Sequence, residues 1–132
     1  MDELHLKDIP LFASLSKAER REVARHADEV DVSPGRDLVK EGDFAYEFFV
    51  IEDGTAEVRR GGDRVAELGP GDFLGEMGIV EHAARNASVT ATSPMTVAVM
   101  THQDLHSIER AMPSVAKQIR DAVEARAQAL VA

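Results

Sequence analysis

Hydrophobic and polar positions change their period twice along this chain. Residues 1–8 are polar except for Leu4 and Leu6, the spacing of a short amphipathic arm. Ile9-Pro10-Leu11-Phe12 is apolar and should pack. Ser16 is followed three residues later by Glu19, the spacing of a capping box. That spacing predicts a helix over 17–27, with Leu15, Val23 and Ala27 on its buried side.

After Ala27 the period shortens to that of strands. Val30 and Val32 alternate with acids, and Leu38-Val39 follows the turn Ser33-Pro34-Gly35. Phe48-Phe49-Val50-Ile51 is the strongest strand in the chain. Asp53-Gly54 reads as a hairpin into the strand over 55–60, and Arg60-Gly61-Gly62-Asp63 as a second hairpin into Val65 and Leu68. Residues 89–91 and 95–100 are expected to pair around Thr92-Ser93-Pro94. Short strands joined by Gly-rich turns argue for a β-sandwich or roll over about 28–101. The helical period then returns. Thr101 is placed to cap a helix with Leu105 and Ile108 facing inward. Pro113 suits the first turn of the next helix, whose stripe is Val115, Ile119, Ala122, Val123, Ala129 and Leu130. With 132 residues and no linker or repeat, the chain is expected to form a single domain over 1–132, with C-terminal helices over about 102–131.

Residues 69–91 interrupt the strand pattern and carry the chemistry. A turn, Gly69-Pro70-Gly71-Asp72, leads through Phe73-Leu74 to Gly75-Glu76. A short apolar run then reaches Arg85-Asn86-Ala87-Ser88-Val89. Arg85 is the only Lys or Arg between Arg64 and Arg110. Among the small residues Ala83, Ala84, Ala87 and Ser88 its guanidinium can be approached closely, and it binds phosphate through a two-pronged fork that never loses its charge. Residues 77–81, beginning Met77-Gly78, can form one helical turn whose free N–H groups face the same anion. Gly75 permits a close backbone approach that a Cβ would block. An ionised Glu76 only accepts hydrogen bonds, which suits a sugar hydroxyl and repels a phosphate. The two groups are nine residues apart, the span of a turn and a loop. A carboxylate for a hydroxyl beside an arginine for a phosphate is one way to hold a nucleotide by its ribose-phosphate.

The pattern Gly75-Glu76 … Arg85-Asn86-Ala87-Ser88-Val89 resembles the phosphate-binding cassette of cyclic nucleotide-binding domains. Those domains occur in regulatory subunits of cyclic-AMP-dependent kinase, in catabolite-activator regulators and in cyclic-nucleotide-gated channels. Leu11-Phe12-x-x-Leu15-Ser16 and the charged helix after it also resemble the family's opening. The resemblance implies an α+β fold: an antiparallel β-roll (a double-stranded β-helix, jelly-roll-like) with an N-terminal helix, a short cassette helix and two C-terminal helices. It implies that Glu76 takes the ribose 2′-hydroxyl and Arg85 the cyclic phosphate. Gly75, Asn86, Ala87 and Ser88 would line the pocket, with Met77 and Gly78 in the cassette turn. The ligand would be cyclic AMP, with cyclic GMP kept open because a Ser or Thr at the position of Ser88 contacts the guanine amino group in some relatives. Many members carry Gly or Pro just before the arginine, where this chain has His82-Ala83-Ala84.

Charge and composition narrow the alternatives. The formal net charge of −9 argues against a general nucleic-acid binder, which needs a basic footprint. It also means that an anionic nucleotide must be captured by local geometry and not by long-range steering. No apolar run reaches the roughly 20 residues of a membrane span, the N-terminus lacks an apolar signal core, and there is no Cys, so a cytoplasmic location is expected. No catalytic residues are expected: there is no Cys nucleophile, no Gly-x-Ser-x-Gly elbow and no Walker sequence. Five histidines raise a cupin-like metalloprotein, since cupins share the roll. His5, His26, His102 and His106, however, fall in the arm or in helices away from any strand pair, and no metal site is expected. A roll that keeps the fold without the ligand, acting as an interaction module, is the other alternative. The Ala-rich last helix is a candidate lid, homodimer seam or junction to an effector domain.

Overall fold

The computed structural model describes residues 1–42, 47–74 and 87–129, with the backbone alone for 122–124 and 126–129. Two short helices open the chain, α1 (Glu3–Lys7) and α2 (Lys17–His26). Among the described residues eight strands follow: β1 (Asp28–Val32), β2 (Asp37–Val39), β3 (Glu47–Asp53), β4 (Ala56–Arg60), β5 (Asp63–Leu68), β6 (Phe73–Leu74), β7 (Ser88–Ala91) and β8 (Met95–Thr101). Helices α3 (His102–Ala111) and α4 (Pro113–Ala129) close it. The strands form two antiparallel four-stranded sheets, β1-β8-β3-β6 and β2-β7-β4-β5. This is the antiparallel β-roll with flanking helices that the sequence predicts.

Local sequence explains the helix starts. Ser16 Oγ accepts from the Glu19 N–H while Glu19 reaches back to the Ser16 N–H, so both halves of the predicted capping box form. Thr101 and Asp104 make the same reciprocal pair at α3. Pro113 occupies the first turn of α4, where its missing N–H costs nothing.

Alternation along the central strands builds two apolar layers back to back. Phe49, Ile51, Val97 and Val99 of the first sheet face Ala56, Leu68, Val89 and Ala91 of the second. The intervening residues Phe48, Val50, Ala98 and Met100 point the other way, to a second core with Leu6, Phe12, Val23, Ile108, Val115 and Ile119 from the helices and arm. The central strands β3 and β8 are therefore buried on both faces along this stretch, which is why Phe48–Ile51 reads as a continuous apolar run. β6 divides between the layers: Leu74 belongs to the inter-sheet core and Phe73 to the helical one.

Two sequence expectations fail. Asp53-Gly54 does not make a hairpin, because β3 pairs with β8 and β6 and has no free edge for β4. The chain instead crosses from the first sheet to the second at Gly54. Likewise β7 and β8 do not pair with each other; β7 lies between β2 and β4, and the chain crosses back at Ser93-Pro94. Turn chemistry reports a reversal of direction, not which sheet receives the next strand. The Gly61-Gly62 hairpin between β4 and β5 does form. Val30 is also exposed, on a strand that among the described residues is an edge with β8 as its one neighbour.

Candidate functional site

Of the predicted ligand residues, Gly75, Glu76, Met77, Gly78, Arg85 and Asn86 lie outside the described residues, as does the expected cassette turn. Ala87 and Ser88 are described, and so are both anchors of the segment. On the entry side Gly69-Pro70-Gly71-Asp72 is pinned to β3. The Gly71 N–H donates to the Ile51 carbonyl at 2.8 Å and the Ile51 N–H to the Asp72 carbonyl at 2.8 Å. The Asp72 carboxylate accepts from the Gly69 N–H at 2.8 Å and closes the turn. Gly71 has φ +90, and a Cβ there would stand 3.3 Å from the Pro10 ring. On the exit side Ala87 is buried, and Ser88 opens β7 opposite Arg59 of β4. Ser88 Oγ accepts from the Glu41 N–H at 2.9 Å, and Glu41 in turn accepts from the Gly61 N–H of the β4–β5 hairpin.

The segment over 75–86 thus leaves the edge strand of one sheet and enters an interior strand of the other. Its entry strand carries Phe73, whose ring lies 5.8 Å from that of Phe48 in the core shared with α3 and α4. Cations beside its exit are engaged within their own hairpin: Arg59 pairs with Glu57 at 2.9 Å, and Arg64 with Glu67 at 2.7 Å.

A second group of titratable residues was not anticipated. Glu29 on β1 lies opposite Ala98, whose side chain belongs to the helical core, so Glu29 is on the outer face of the first sheet. Glu52 follows Val50 on that face of β3 by alternation. Beyond the helical cover this face turns acidic, with Glu29, Asp31 and Glu52 lining a cleft of about 520 Å³ closed by His5, Asp8, Pro10, Pro70 and Gly71. α1 carries His5 there. Leu6 is fully buried, and Glu3 pairs with Arg20 of α2 at 3.0 Å, so the helix is held at both of its faces. His5 Nδ1 is 2.7 Å from Glu29 Oε2. Burial, and then the neighbouring Glu29 carboxylate, push the Glu52 carboxyl up to about 7. The hydrogen bond between the two carboxyls holds Glu29 below its usual range, and the bond to Glu29 raises the His5 imidazole. Sequence places His5 far from any strand pair, whereas α1 lays it against β1; the two are 24 residues apart and no local pattern joins them.

The comparisons bear on the first site. The family model for the cyclic nucleotide-binding domain matches residues 29–111. The cAMP-dependent protein kinase regulatory subunit of Hypocrea atroviridis is 34% identical over 100 residues, 76% of this chain and 22% of that protein. The chain thus spans under a quarter of that relative's length. Among solved structures, the N-terminal domain of a transcriptional regulator from Streptomyces coelicolor A3(2) is 26% identical with a TM-score of 0.78, covering 96% of this chain and 94% of that one. The regulatory subunit of a cAMP-independent protein kinase A from Trypanosoma brucei shares the fold, with a TM-score of 0.82 at 22% identity over 95% of this chain and 44% of that one. Among the described residues no helix is long and apolar enough to cross a membrane. A family match over residues 29–111, most of the chain, establishes that this chain belongs to the cyclic nucleotide-binding domain family.

Proposed function

We propose that this chain is a non-catalytic sensor that binds a cyclic purine nucleotide, cyclic AMP before cyclic GMP. In this reading Glu76 accepts from the ribose 2′-hydroxyl and Arg85 forks the cyclic phosphate. The N–H groups of the turn beginning Met77-Gly78 add donors to the same phosphate, and Gly75, Asn86, Ala87 and Ser88 complete the lining. The observation that carries it is the ordered motif Gly75-Glu76 … Arg85-Asn86-Ala87-Ser88 within the span matched by the family model. The pairing of Arg59 and Arg64 with acids in their own hairpin agrees with a phosphate held by Arg85.

Binding would draw the cassette inward. Phe73, two residues before Gly75, shares its core with Ile108, Val115 and Ile119, so a shift of the cassette is felt where α3 and α4 pack. A ligand that prefers the closed arrangement then shifts the population of helix positions. The output surface in this reading is α4, towards a second copy of the chain or an effector domain, in the cytoplasm. A thermal-shift screen with cyclic AMP, cyclic GMP and linear AMP tests it, since a ligand that binds only the folded chain raises its melting temperature. Stabilisation by a cyclic nucleotide and not by linear AMP is the expected result; none from either cyclic nucleotide favours the ligand-free interaction module. That second reading has one specific support, the shared fold of a regulatory subunit described as cAMP-independent.

A further inference from the structure

The geometry points to a binding site for a first-row divalent transition-metal ion at His5, Glu29 and Glu52, on the outer face of the first sheet. Each residue offers one ligand atom, and these atoms all lie within 4.8 Å of one another. Metal–ligand bonds of about 2.0–2.2 Å put tetrahedral donors roughly 3.3 Å apart, so side-chain rotation suffices to close the set. The three ligands come from three elements, α1, β1 and β3, each fixed by packing of its own.

The second observation is Glu52 Oε2. It is buried and, among the described residues, has no hydrogen-bond partner. An orphaned carboxylate oxygen is costly unless something supplies positive charge or a proton. His5, the basic member of the cluster, is turned to Glu29. A metal ion between the three side chains would satisfy Oε2 and supply the positive charge that a proton shared by the two carboxyls otherwise provides. The His5 and Glu29 side chains remain 50% and 30% exposed, which leaves an entry path and open positions for water.

The donor set selects the ion. One imidazole nitrogen with two carboxylate oxygens suits zinc, cobalt or manganese, whereas calcium and magnesium take oxygen ligands. The site faces away from the space between the sheets, so it differs from a cupin-like centre and stands apart from the cassette. Its occupation would clamp α1 to β1 and β3.

Calorimetry of the metal-free chain with Zn²⁺ at pH 7.5 tests the proposal, with Mg²⁺ as comparison. One Zn²⁺ per chain, with proton release and a raised melting temperature, is expected; Mg²⁺ should give neither. Glu52→Gln and His5→Gln should each weaken Zn²⁺ binding by about tenfold or more. The alternative zinc ligands are His102 and His106, four residues apart on α3 with their Nε2 atoms at 3.0 Å. The variant carrying His102→Gln and His106→Gln should therefore bind Zn²⁺ like the parent. The melting temperature of metal-free Glu52→Gln shows separately that it folds. Absence of Zn²⁺ uptake, uptake that survives both cluster variants, or uptake lost with the α3 pair would overturn the site.

Discussion

Gly54 and Pro94 sit at two of the corners where the chain changes sheets, and they touch. A Cβ on Gly54 would stand 2.3 Å from the Pro94 carbonyl oxygen and 2.8 Å from the Met95 Cα. Hydrogen bonds stitch the same corners: the Thr55 N–H donates to Ser93 Oγ at 2.9 Å, and the Thr92 N–H to the Thr55 carbonyl at 3.0 Å. This junction fastens two of the roll's crossings to each other, β3 to β4 and β7 to β8.

Gly54→Ala should therefore be among the most destabilising single-methyl changes in the chain. The residue has φ +90, and the added carbon meets backbone that cannot step aside. A loss of about 2 kcal/mol or more is expected in denaturant unfolding. Gly35→Ala provides the comparison: it has φ +85 but nothing within 4 Å, so it should cost about 1 kcal/mol from backbone strain alone. Equal losses would mean that the contact with Pro94 contributes nothing.

Stability should depend on pH through the cleft on the outer face. The Glu52 carboxyl is raised from 4.5 to about 7, so the folded chain holds a proton that the unfolded chain releases across that interval. Stability from this group falls as pH rises from about 4.5 to 7. His5, raised from 6.5, acts in the same sense, its stabilisation present below 6.5 and lost above. Glu29 acts oppositely, its contribution present above 4.5 and lost as pH falls. The groups facing Glu52 are Glu29 and Asp31 from β1 and His5 from α1. In buffer with a chelator, Glu52→Gln should show a smaller fall in melting temperature between pH 5.5 and 8 than the parent chain. Superimposable profiles would contradict the assignment.

Ser88 joins the cassette to the roll, and its loss should be felt in both. Removing Oγ leaves the Glu41 N–H without its acceptor, which should cost about 1 kcal/mol in Ser88→Ala. If cyclic GMP is held through this hydroxyl, the same change lowers its affinity more than that of cyclic AMP. Competition between the two nucleotides in parent and variant reads this directly; an unchanged ratio would remove Ser88 from base selection.

What was legible in the sequence divides by range. Ser16 and Glu19, or Thr101 in front of its helix, act within one turn, and the helix starts they predict appear where expected. Gly61-Gly62 likewise closes a local hairpin. The corners at Gly54 and Pro94 look the same locally but depend on which strand edges are already taken, and β3 has none free. The cluster of His5, Glu29 and Glu52 is further from view, since it needs α1 folded back onto β1 and β3. Within the candidate nucleotide site, Ala87 precedes β7 and Ser88 opens it, while Glu76 and Arg85 are outside the described residues. For those two the motif and the family match carry the reading.

The most direct measurement is a calorimetric titration of cyclic AMP into the parent chain and into Arg85→Ala. The parent should bind, and the variant should lose a charge-assisted contact of about 1.5–3 kcal/mol, a weakening of roughly 10- to 150-fold. A parent chain that takes up neither cyclic AMP nor cyclic GMP, or a variant with unchanged affinity, would contradict the account.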